Sequence, residues 1–152
     1  PRWRAQFVSE VIALVPEEVR EDLPLFRIGS GRINWEQVVA AFQHAESCLY
    51  PGVSLGFHSP AQEAMAAGCP VVASSLPMHD EVLPPRCLLP ATDHDYWVSA
   101  ILEIHRRWES SGGVPRHIDE DLLSMAKSSF GRTAHGEALS RAYDIAMERV
   151  EG

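Results

Sequence analysis

The chain has 152 residues, 45% of them hydrophobic, and a formal net charge of -8. That is enough apolar content for one folded domain and too much for a chain disordered along its length. The acidic balance argues against nucleic-acid binding, which needs a cationic face for phosphates. No apolar run reaches the roughly 20 residues of a membrane-spanning helix. Arg2 and Arg4 are followed by no apolar leader, so no signal peptide is visible, and a chain beginning at Pro1 reads as part of something longer. Cys48, Cys69 and Cys87 have no CxxC spacing, which fits neither a disulfide framework nor a zinc knot and points to a reducing, cytoplasmic compartment.

In chain order, Phe7, Val8, Val11, Ile12 and Val15 recur at helical spacing, so a helix is expected from Trp3 to Val15, broken at Pro16. Leu25 to Ile28 is a strand candidate closed by Gly29-Ser30-Gly31. Asn34 can cap a helix running to about Ala45. Cys48-Leu49-Tyr50 reads as a strand before the Pro51-Gly52 turn. Ser59, Pro60 and Gln62 form a capping-box signature with proline at the first helical position, opening a helix that Gly68 stops. Pro70 to Ala73 is a short buried-type strand. The segment from Pro77 to Pro90 is turn-rich, with Leu88-Leu89 a possible strand. Asp93 or Asp95 starts a helix over about Tyr96 to Trp108, its stripe formed by Trp97, Ile101, Ile104 and Trp108. Two helices close the chain, over about Asp119 to Ser128 and Thr133 to Glu151.

Short strands alternating with helices predict an α/β fold: a Rossmann-like open parallel sheet with helices on both faces, spanning residues 1–152 as one domain. Ligands on such sheets sit beyond the carboxyl ends of the strands. The segment Gly56-Phe57-His58-Ser59 leads from a strand into the helix opened by Pro60, and Glu63 lies in that helix's first turn. A carboxylate there can accept two hydrogen bonds from vicinal hydroxyls such as those of a ribose. It also suits the helix dipole without any ligand. His79, Asp80 and Glu81 do not add up to a metal site, because no second ligand pair has suitable spacing. There is no G-x-S-x-G elbow for a hydrolase, and no G-x-G-x-x-G or Walker motif.

The run YPGVSLGFHSPAQEAMAAGCPVVASS, Tyr50 to Ser75, resembles the donor-binding domain of retaining GT-B glycosyltransferases of the group 1 class. That family's pattern is Glu-Gly-Phe-Gly-x-Pro-x-x-Glu-Ala-Met-Ala-x-Gly-x-Pro-Val-Val-Ala. It falls without gaps on residues 55–73. Weaker likeness extends through the Gly29 to Ala45 run, Glu81-Val82, the turn at Pro90 to Asp93 and the aromatic helix Phe130 to Tyr143, so about Leu25 to Met147 is covered.

The resemblance implies one half of a GT-B fold, lacking its first strand-helix unit before Leu25. It implies a nucleoside-diphosphate sugar as donor substrate and no cofactor or metal. Glu63 would bind the donor's ribose, and Gly56, Phe57, His58 and Ser59 its sugar and phosphates. The family's basic pair, which neutralises the diphosphate, has only Arg2 and Arg4 near its place. The acceptor-binding domain would lie upstream or on another chain. Two positions depart from the pattern: Leu55 stands where the first glutamate is expected, and His58 replaces a glycine. Leu55 cannot bind a sugar hydroxyl or support developing positive charge. The catalytic residues are therefore left open. The alternative implied is a catalytically inactive descendant that serves as a binding or partner-contacting module.

Overall fold

The structure is a computed structural model that describes residues 2–25, 33–52, 60–113 and 118–151. In chain order the elements are α1 (Arg2–Leu14), α2 (Glu17–Glu21), α3 (Trp35–His44), β1 (Cys48–Tyr50), α4 (Pro60–Ala66), β2 (Val71–Ser74), α5 (Pro77–Asp80), β3 (Leu88–Leu89), α6 (His94–Ser110), α7 (Glu120–Phe130) and α8 (Arg132–Glu151). A single 3-10 turn, Pro85–Cys87, precedes β3.

The three strands form one parallel sheet in the order β1-β2-β3, with Cys48 opposite Val71, Tyr50 opposite Ala73, and Ala73 opposite Leu88. Parallel neighbours need crossover connections. Here α4 lies between β1 and β2, while α5 and the 3-10 turn lie between β2 and β3.

Alternation along each strand divides the interior into two cores, as the period of two requires. Cys48, Tyr50, Val71, Ala73 and Leu88 join Val38 and Phe42 of α3, Ala61, Ala64 and Met65 of α4, and Leu122 and Ala126 of α7. Leu49, Val72 and Leu89 join Phe7 and Val11 of α1, Val15, Val19 of α2, and Trp97 and Ile101 of α6. Helices therefore cover both faces, as the sequence leads one to expect.

Local chemistry explains the boundaries. Asn34 caps α3 with a full capping box: its side chain accepts from Gln37 N–H while the Gln37 side chain accepts from Asn34 N–H. Gly68 ends α4 at φ 66°. Its N–H donates to Met65 C=O and the Cys69 N–H to Ala64 C=O, which is a Schellman arrangement. Asp93 caps α6 through Asp95 N–H. Of the two candidate caps it is thus Asp93 that starts the helix, at His94, two residues before Tyr96.

Of the stripe, Trp97 and Ile101 are buried, while Ile104 and Trp108 are half-buried. His105 is buried on α6 between Asp22 and Glu109, with ring nitrogens 3.1 and 3.4 Å from their carboxylate oxygens. Leu25 is exposed and outside any strand, and the rest of the Leu25 to Ile28 strand expectation, with Gly29-Ser30-Gly31, lies outside the described residues.

Candidate functional site

The carboxyl ends of β1 and β2 lie side by side, and one side chain ties them together. Ser74 is fully buried, and its Oγ accepts a 2.8 Å hydrogen bond from the N–H of Gly52, two residues past the end of β1. Its backbone carbonyl accepts a 2.6 Å bond from His79 Nδ1. A carbonyl only accepts, so the proton sits on Nδ1. The other ring nitrogen, His79 Nε2, is buried without a hydrogen-bond partner among the described residues.

Over these strand ends lies an aromatic and cationic stack. The rings of Tyr50 and His79 meet at 69°, with centroids 5.4 Å apart. The guanidinium carbon of Arg4, from the first turns of α1, lies 4.7 Å from the Tyr50 centroid. Arg4 Nη2 is 3.5 Å from Tyr50 Oη, and it is equally near the point where a Cβ on Gly52 would lie. A cation and an aromatic face thus border the backbone at the point where residues 53–59 begin.

Those residues end at α4, whose first turn carries Glu63. Glu63 is half-buried, neither sealed in the core nor fully in solvent. Burial pushes the Cys48 thiol up, with Cys69 and the Glu63 carboxylate adding to the effect. Cys48 is therefore a protonated packing residue and no nucleophile. Cys87 is raised in the same way by burial. Among the described residues no group of three or more His, Cys, Asp or Glu could hold a metal ion.

Of the residues singled out from sequence, Glu63 is placed by the structure; Leu55, Gly56, Phe57, His58 and Ser59 lie outside the described residues, as does the Ser59 side of the expected capping box. Tyr50 and His79 were not legible as a site. Their meeting with Arg4 joins positions 46 apart in the chain for Arg4 and Tyr50, and no local spacing reports such a contact. The one available signal is an aromatic residue closing a strand that points at the ligand side of the sheet.

Below the site, the end of α4 is locked to α7. The Gly68 carbonyl accepts from Asp119 N–H at 3.0 Å. Asp119 caps α7 through Leu122 N–H and takes two hydrogen bonds from Arg86, at 2.7 and 2.9 Å. Those bonds from Arg86 hold the Asp119 carboxyl below the usual carboxylate range, and Asp119 in turn raises Arg86.

Comparison with known proteins supplies the context for this geometry. The family model described as "Glycosyl transferases group 1" matches residues 13–107. A relative, the O-antigen chain mannosyltransferase RfbU of Salmonella typhimurium (strain LT2), is 32% identical over 75 residues, which are 49% of this chain and 21% of that protein. The match thus covers about a fifth of the relative's length. No solved structure matches the chain. No helix among the described residues is long and apolar enough to cross a membrane.

Proposed function

Because the chain belongs to the group 1 glycosyltransferases, we propose that it forms the donor-binding part of such an enzyme and holds a nucleoside-diphosphate sugar during retaining glycosyl transfer. The observation that carries this reading is the pairing of opposite charges about residues 53–59: a half-buried carboxylate, Glu63, follows them and a stacked guanidinium, Arg4, stands where they begin. Glu63 supplies the acceptor that vicinal ribose hydroxyls need. Arg4 supplies a fixed positive charge for the diphosphate, whose negative charge grows as it leaves the sugar. The backbone from Gly56 to Ser59 completes the contacts with phosphate and sugar. A second domain brings the acceptor to the same crevice, and the reduced cysteines suit a cytoplasmic enzyme. The relative's mannosyl chemistry makes a nucleoside-diphosphate mannose the first donor to try.

Calorimetric titration with UDP-, GDP- and ADP-sugars tests the proposal. One of the three binds, and Glu63→Gln weakens that binding about tenfold, the loss expected when a charged acceptor of two hydrogen bonds becomes neutral. A chain that binds none of them, or a variant that binds as well as the parent, defeats the reading. A second reading rests on Leu55, which stands where a donor-contacting carboxylate is expected: the fold is kept as a non-catalytic module. Nucleotide-sugar binding without transfer, measured on the chain together with its acceptor domain, selects that alternative.

A further inference from the structure

Arg4 reaches the mouth of the sheet with no carboxylate partner among the described residues, although the chain carries 21 acidic residues against 13 Lys and Arg. It rests on the face of Tyr50 instead. A guanidinium held on an aromatic face keeps its in-plane N–H donors available to an oxyanion, and the ring restricts how it can tilt. Tyr50 is braced in turn. The His79 ring meets it near the perpendicular, and His79 is fixed by its bond to the Ser74 carbonyl and by burial, at 1% exposure. Packing alone does not ask for an imidazole here, because Nε2 is buried and has no hydrogen-bond partner among the described residues, which costs stability. The imidazole combines two properties at this position: a donor for the end of β2, and a flat ring against Tyr50.

We propose that Tyr50 and His79 are positioning residues that set the Arg4 guanidinium over the strand ends so that it grips the diphosphate of the donor. This role rests on the donor-binding reading above. Neither ring touches the reacting atoms; each acts through Arg4.

The test compares the nucleoside diphosphates UDP, GDP and ADP with their uncharged nucleosides by calorimetry, at low and high salt. Arg4→Ala weakens the bound diphosphate about tenfold, leaves the nucleoside unchanged, and flattens the salt dependence. Tyr50→Leu and His79→Asn each weaken the diphosphate roughly fivefold, while Tyr50→Phe, which keeps the ring, stays within about twofold of the parent. Asparagine at 79 retains a donor for the Ser74 carbonyl and removes only the ring. In the Arg4→Ala background neither substitution causes further loss. If Tyr50→Leu does not fold by circular dichroism, Arg4→Lys decides, since lysine keeps the charge without the planar stack; affinity equal to the parent overturns the proposal.

Losses that persist without Arg4, or that fall equally on the uncharged nucleoside, show that the rings are merely structural and overturn the positioning role while the donor reading stands. An Arg4→Ala variant that binds like the parent has the same effect. If the unmutated chain binds none of the three diphosphates, the donor reading fails and the positioning role fails with it.

Discussion

A single left-handed glycine fixes where α4 stops. At Gly68, φ is 66°, and a Cβ there would lie 2.8 Å from Ile118 Cγ2. Alanine would suffer both the left-handed backbone, which costs a side-chain-bearing residue roughly 1–2 kcal/mol, and the displacement of that methyl group. Gly68→Ala is therefore expected to lower the unfolding free energy, measured in urea, by about 2 kcal/mol. Gly68 was readable from sequence because a helix stop leaves a local mark. Glu63 was readable for the same reason, as a carboxylate four positions into a helix opened by proline. Arg4 stands out only through its place near the family's basic pair, and Tyr50 and His79 do not stand out at all, since nothing in their own neighbourhoods says that α1 will lie across the end of β1. His79 looked at most like one third of a metal site; the fold instead buries it against a backbone carbonyl.

Between elements, the clasp of Arg86, Asp119 and Gly68 joins the start of α7 to the end of α4 and to the turn before β3. Its response to acid follows from the lowered Asp119 carboxyl. A group whose folded value is depressed stabilises the protein above its unfolded value, near 4, and that contribution disappears as pH falls through the folded value. Asp119→Ala removes the α7 cap as well and is expected to cost about 1–2 kcal/mol at neutral pH. Thermal melts from pH 7 to 3 check this: the variant's deficit narrows toward the acid end because the parent loses the same interaction. The order and kind of the elements were legible, since caps, prolines and apolar spacing are local. The segment from Pro77 to Pro90 reads as turns with a possible strand at Leu88-Leu89, and it holds that strand as β3 together with α5 and a 3-10 turn, each opened by a proline in its first positions. Elements this short are too brief for periodicity to register.

For the whole molecule, the sheet is a shared wall. Each strand contributes alternate residues to two cores, so neither group of helices can be released without exposing the other side of the same three strands. Met65→Ala, a truncation in the core of α3, α4 and α7, is expected to cost about 2–5 kcal/mol. It should also move the emission of Trp97, which lies in the opposite core, at the same urea concentration as the helical signal. Separate midpoints for the two probes would show that the faces melt independently. The two-faced α/β plan could be read from alternating short strands and helices. The assignment of helices to faces could not, because it depends on which residue of each strand points which way. The hydrogen bond from the Gly52 amide to the Ser74 hydroxyl has a practical consequence. The exit from the first strand is tethered to the second strand, and the buried Ala61 fixes re-entry into the next helix. The chain on either side of residues 53–59 is thus pinned, so an engineer can exchange that stretch between relatives without rebuilding the frame that flanks it.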